Sequence, residues 1–150
     1  MEIIVLIGAT GVGKSRYVWD RYPGCYSVPP TKSSGCYWDG YSGEETVFVD
    51  EMYGSRFSYS FLLQLTDRYP FYVPVHGGQV VFSSQRIIFA SNKHPEEWYD
   101  PEKYPFFDGP LFRRMTQGRS RIVRVDPGGG QYILAGCQTP ELIGPLWEDH

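Results

Sequence analysis

The stretch Gly8-Ala9-Thr10-Gly11-Val12-Gly13-Lys14-Ser15 fits the pattern G-x-x-x-x-G-K-[ST], a loop able to wrap the phosphates of a nucleoside triphosphate. Glycines let such a backbone curl until successive N–H groups point at one anion. In this pattern Lys14 reaches the β- and γ-phosphates, and the Ser15 hydroxyl holds Mg²⁺. A second chemical pair is Asp50-Glu51, two acids that end the apolar run Thr46-Val47-Phe48-Val49. An acid in that position holds Mg²⁺ directly or through water. Its neighbour can orient or deprotonate the attacking water. Two adjacent acids on a buried face are costly unless a cation offsets them. The run Arg86-Ile87-Ile88-Phe89-Ala90 ends in Ser91-Asn92. Two readings of Asn92 stand: an amide for a γ-phosphate or water, or the cap of the next turn.

These groups need strands and a helix behind them. Ile3-Ile4-Val5-Leu6-Ile7 has the continuous apolar character of a buried parallel strand. From Ser15 to Tyr22 no breaker appears before Pro23-Gly24, so a short helix follows the loop with its N-terminus toward the phosphates. Cys25 to Val28 reads as a short strand closed by Pro29-Pro30, and Asp39-Gly40 as a tight turn beside Trp38 and Tyr41. Ser58 caps a helix expected through Phe61, Leu62, Leu65 and Tyr69, with Pro70 as its stop. Phe71 to Val75 and Gln79 to Phe82 flank His76-Gly77-Gly78 as a hairpin, and Pro74 marks its first strand as an edge, so the hairpin projects. His76 at the tip is either simply exposed or a contact to a phosphate backbone. Residues 94–110 form a proline-punctuated ordered loop, Leu111 to Met115 one helical turn, and Arg121 to Val125 a half-buried strand. Gln131 to Leu134 is a further strand candidate. The fold class is α/β: a three-layer phosphate-loop NTPase domain, AAA+-like, with a mainly parallel central sheet. It spans 1–125, with 126–150 as a partly mobile C-terminal extension.

A length of 150 residues suits one domain with a real core, and 41% apolar with 21% charged residues suits a globular one. No apolar run approaches the roughly 20 residues that span a bilayer, so no membrane partner is expected. The first apolar run has no basic leader and is not read as a signal peptide. Three cysteines at uneven spacing fit neither a disulfide framework nor a zinc site and point to a reducing intracellular compartment. The formal charge of −3 argues against an obligate whole-surface nucleic-acid binder. Yet Arg113, Arg114, Arg119, Arg121 and Arg124 occur in a stretch with no acid. That run is either a solvated basic face or a segment contacting phosphates or a partner.

Taken in order, several segments resemble the helicase domain of the replication initiators of circoviruses and related circular single-stranded DNA viruses, which belong to helicase superfamily 3. The likeness runs from about residue 4 to 125. It rests on Gly8 to Ser15, on Trp38-Asp39-Gly40-Tyr41 with Gly43-Glu44-Glu45, and on Val47 to Tyr53. It continues through Leu62 to Pro70 with Gly77-Gly78, then Ser91-Asn92-Lys93 and Glu96-Glu97-Trp98-Tyr99. The resemblance implies ATP and Mg²⁺ as cofactors, with Gly8 to Ser15 cradling the nucleotide. It makes Asp50 the metal carboxylate alongside Ser15, Glu51 the water-activating acid and Asn92 the sensing amide. Relatives often carry Asp where Glu51 stands. It makes His76, Gly77 and Gly78 a loop that grips single-stranded DNA, where relatives tend to carry a lysine in place of His76. It also implies an arginine finger from Leu111-Phe112-Arg113-Arg114-Met115, Arg114 first and Arg113 second. A finger given to a neighbour implies a homo-oligomer, by resemblance a hexameric ring, and a viral protein of this kind works in the host nucleus. Family members carry a nicking domain and a helical collar before the phosphate loop. Since the first strand starts almost at Met1, the chain is expected to be a truncated chain or a lone helicase module, and nicking is not carried over to it. Two rivals are a small phosphate-loop kinase with the arginine stretch as its lid, and a non-catalytic nucleotide-binding module. Intact Lys14, Ser15, Asp50, Glu51 and Asn92 speak against the second.

Overall fold

Alternate residues of the central strands face opposite sides, and each side is covered by its own helices. The computed structural model describes residues 1–32, 35–67, 69–127 and 131–136. Strand β1 (Glu2–Ile7) lies between β6 (Arg86–Ser91) and β7 (Arg121–Val125), parallel to both. Beyond β6 come β3 (Thr46–Val49) and the two-residue β2 (Tyr26–Ser27), also parallel. The order is β2-β3-β6-β1-β7-β8, and only β8 (Gln131–Gly136) runs antiparallel, against β7. Ile4, Leu6, Phe48, Ile88 and Val123 pack under helix α1 (Lys14–Arg21) with its Tyr17 and Val18. Ile3, Val5, Val47, Ile87, Phe89 and Ile122 pack on the other side. There they meet Leu62 and Leu65 of α2 (Tyr59–Leu65) and Leu111 and Met115 of α3 (Pro110–Thr116). This is the expected three-layer α/β architecture with a mainly parallel sheet. The continuous apolar runs of β1 and β6 follow from burial on both faces.

Helix α2 differs from its expected length. Ser58 caps it as anticipated, its hydroxyl accepting from the Phe61 N–H at 3.0 Å, but it ends at Leu65 rather than running on to Pro70. Tyr69 is 64% exposed and lies outside the buried stripe. Side chains that take the terminal carbonyls account for the early stop. Thr66 Oγ1 donates to Leu62 O at 2.8 Å. The Arg114 guanidinium donates to Leu63 O at 2.6 Å and to Thr66 Oγ1 at 3.0 Å. Its positive charge also suits the negative end of the helix. Helix α3 likewise makes about two turns, Pro110–Thr116, where one was expected. The expectation for the chain from about residue 138 lies outside the described residues.

The hairpin of β4 (Phe71–Val75) and β5 (Gly78–Phe82) is its own two-stranded sheet, turning at His76-Gly77, where Gly77 takes φ 89°. As an edge, β4 offers Pro74 O to the Trp38 N–H at 2.7 Å. Trp38, wholly buried, packs with Tyr26, Tyr41 and Phe82 at the hairpin base, so its role is packing. The turn at Asp39-Gly40 then sends Asp39 to the tip. Its carboxylate accepts from the His76 backbone N–H at 2.8 Å and meets His76 Nδ1 at 2.5 Å, while Tyr37 stacks on the imidazole with centroids 4.1 Å apart. The His76 contacts, the backbone one first, hold the Asp39 carboxyl below its ordinary value of 3.8. A depressed carboxyl stabilises the tie above that value and loses it as pH falls through the lowered one. The His76 amide resonance is therefore expected to titrate with a midpoint below 3.8. A midpoint at or above it, or persistence of the transition in Asp39→Asn, would show that the carboxylate does not anchor the tip.

Candidate nucleotide site

Where the chain leaves β1 the backbone is hemmed in. The Gly8 N–H donates to Ser91 O at 3.1 Å, and a Cβ on Gly8 would sit 2.5 Å from Val125 O. The loop thus begins wedged between the ends of β6 and β7. Gly11 and Gly13 take φ of 88° and 99°, left-handed values that glycine adopts without strain. Gly13 is the N-cap of α1 and provides no side-chain cap, so the first-turn N–H groups are left for a ligand.

The polar side chains named from sequence converge here. Lys14, 9% exposed, points its ammonium to Gly8 O, to Ala9 O at 3.1 Å and to Asn92 Oδ1 at 3.4 Å. Burial pushes its pKa below the ordinary lysine value, and the Asp50 carboxylate opposes that shift. Ser15 Oγ donates to Asp50 Oδ2 at 2.9 Å. Hydroxyl and carboxylate oxygens meeting in this way are the donor set that Mg²⁺ takes, with room left for water and phosphate oxygens. The Asn92 amide N–H₂ lies 3.5 Å from Thr10 Oγ1, so this side chain faces the loop as well as the lysine.

Glu51 departs from expectation. Rather than two acids on a buried face, Asp50 is half-buried and Glu51 exposed, so the electrostatic cost argued from sequence is smaller than supposed. What marks Glu51 is its backbone: φ is 54°, the left-handed region rarely used by a residue with a side chain. Asp50 Oδ1 accepts from the Glu51 N–H at 3.0 Å, and the Met52 N–H donates to Ala90 O at 2.7 Å, which together hold the turn.

A cavity of about 640 Å³ opens over these groups. Thr10, Gly11, Gly13, Lys14, Ser15, Asp50, Glu51 and Asn92 all line it. Sequence reasoning assigned no role to Tyr53, Gly54, Lys93, Glu97 or Trp98, which line it too. Gly54 was detectable in principle, as a glycine just past a strand end. A Cβ there would fall 1.6 Å from Trp98 O, so the turn after Glu51 is pressed onto the segment of residues 97–98. Arg113, Arg114 and the hairpin tip are not part of the lining. Arg114 is engaged with α2 and with Asp67 at 3.7 Å. Arg113 is exposed, and its side chain has no hydrogen bond or ion pair among the described residues.

A family model described as RNA helicase matches residues 4–93. The chain belongs to the RNA helicase family. It is similar to the replication-associated protein of beak and feather disease virus, 46% identical over 116 residues, covering 77% of this chain and 37% of that protein. To the replication-associated protein of porcine circovirus 2 it is 34% identical over 146 residues, covering 94% of this chain and 45% of that protein. Canary circovirus has a relative 41% identical over 116 residues, 77% of this chain and 38% of that protein. The chain spans less than half the length of these relatives. A helicase-family domain of replication-associated kind is what the motif resemblance pointed to.

The two arginines should behave differently in unfolding experiments. Arg114→Ala removes charged hydrogen bonds at the end of α2 and is expected to cost roughly 1–3 kcal/mol. Arg113→Ala should leave the unfolding midpoint unchanged. Equal effects of the two would contradict the separate surroundings described for them.

Proposed function

We propose that this domain is a Mg²⁺-dependent ATPase that powers movement along, or unwinding of, DNA during replication of a small circular genome. The observation that carries the reading is the convergence of Ser15 and Asp50, with Lys14 and Asn92 on the same cavity wall. The first-turn amides of α1 and Lys14 would bind the triphosphate, and Ser15 and Asp50 would hold the cation. A bound Mg²⁺ supplies charge neutralisation on the β- and γ-phosphates. Glu51 would accept the proton of the attacking water, and Asn92 would orient that water or the terminal phosphate.

Among the described residues, Arg16 is the one arginine on this cavity's wall. The finger in this reading comes from a second copy of the chain, in a head-to-tail assembly that closes as a ring. Arg114 is the less suitable candidate because its guanidinium holds α2; exposed Arg113 is the residue proposed to reach a neighbour. The kinase rival loses its support from the same fact, because no residue of the arginine-rich stretch covers the cavity. The tip residues His76, Gly77 and Gly78 are the proposed contact to single-stranded DNA. Asp39 against the imidazole makes that contact less purely a phosphate grip than a lysine would.

Lys14→Ala is expected to abolish nucleotide binding or turnover. Glu51→Gln should retain ATP binding and lose about 10²- to 10⁴-fold in turnover. Loss of binding instead would remove Glu51 from its role. Arg113→Ala should lower turnover by roughly 10³-fold or more, and mixing it with Lys14→Ala chains should restore part of the activity. If Arg114→Ala shows that rescue and Arg113→Ala does not, the finger assignment is reversed.

A further inference from the structure

Ser91 closes β6, and Trp98 follows the short 3-10 turn Pro95–Glu97. Both are nearly sealed from solvent, at 2% and 4% exposure. One hydroxyl joins three segments. Ser91 Oγ donates to Met52 O at 2.8 Å, a residue 39 positions away in sequence. It accepts from the Lys93 backbone N–H and from the Trp98 ring N–H, each at 3.1 Å. The same ring N–H also reaches Lys93 O at 3.1 Å.

These partners flank Glu51 and Asn92 in sequence. Met52 directly follows Glu51, whose left-handed backbone persists only if its surroundings over-determine it. Asn92 stands between Ser91, which carries the hydroxyl, and Lys93, whose N–H donates to it. The fit of Gly54 against the Trp98 carbonyl presses the same two turns together a second time. A serine that merely ended a strand would need only its local bond to Lys93. A tryptophan that merely filled the core could satisfy its N–H locally at Lys93 O, without an acceptor shared with a distant turn.

We infer that Ser91 and Trp98 are positioning residues for hydrolysis, a clamp that fixes the spacing between the Glu51 carboxylate and the Asn92 amide. The inference rests on the ATPase reading above. Neither side chain is assigned a phosphate contact; both act through the backbone of the turns that carry Glu51 and Asn92. Misplacement of a reacting group by about 1 Å can cost 10²-fold in rate, which sets the scale of the effect.

The test compares Ser91→Ala, Ser91→Thr and Trp98→Phe with the unaltered protein. Ser91→Ala and Trp98→Phe should lower kcat about 10- to 100-fold while KM and nucleotide affinity stay within about twofold. Ser91→Thr keeps the hydroxyl and should rescue turnover. Unchanged kcat in both deleting variants, or parallel loss of affinity and rate, overturns the clamp. Trp98→Phe removes the N–H but keeps an aromatic ring, so it reads the clamp if Ser91→Ala fails to fold. If the unaltered protein binds nucleotide without turning it over, the ATPase reading is what fails. Amide hydrogen exchange then decides the clamp: the Met52 and Lys93 amides should exchange faster in Trp98→Phe, and unchanged exchange overturns it.

Discussion

A hydroxyl and a carboxylate 35 positions apart in the chain meet at 2.9 Å, and the rest of the site is arranged around that contact. Ser15 stands in the first turn of α1 and Asp50 just past β3, while β6 lies between β1 and β3 in the sheet. Their meeting therefore requires three parallel strands to end at one level. The register brings the ends close: Ile7 pairs with Ser91, while Val49, the last residue of β3, pairs with Phe89, so Asp50 follows just short of that end. The chain leaves β1 toward one side of the sheet and returns to β7 on the other, so the crevice above β1 is left open. A parallel sheet binds ligands at such a switch point, beyond the carboxyl ends of its strands.

The remainder of the molecule holds this edge in place. Gly8 is confined between Ser91 O and Val125 O, so the phosphate loop starts from a fixed point. Trp38 and its aromatic neighbours fix the base of the hairpin, and Asp39 fixes its tip. Arg114 closes the end of α2 and leaves Arg113 facing outward. The hairpin and α3 are thus each tethered to the body by specific bonds while remaining outside the cavity.

Much of this was legible in the residues because local signals and tertiary structure agree. The loop pattern, the fully apolar strands and the strand-ending acids each point to their neighbours' roles, and the Ser58 cap appears with its predicted bond to Phe61. The failures occurred where a distant side chain decides a local outcome. Helix α2 stops early because Thr66 and an arginine 48 positions from it take its last carbonyls. Arg114 and Arg113 look alike in sequence, and only the packing of α3 on the core separates them. Likewise Ser91 reads as the polar end of a strand until Met52 and Trp98 are seen around its hydroxyl. Spacing reports which residues share an element; it does not report which carbonyl a buried N–H will find.

The dependence of ATP affinity on Mg²⁺, measured for the unaltered protein and for Asp50→Asn, addresses the Ser15–Asp50 pair itself. If these two groups hold the cation, Mg²⁺ tightens ATP binding in the unaltered protein, and most of that gain disappears in Asp50→Asn while metal-free binding persists. An equal Mg²⁺ effect in both proteins would contradict the account.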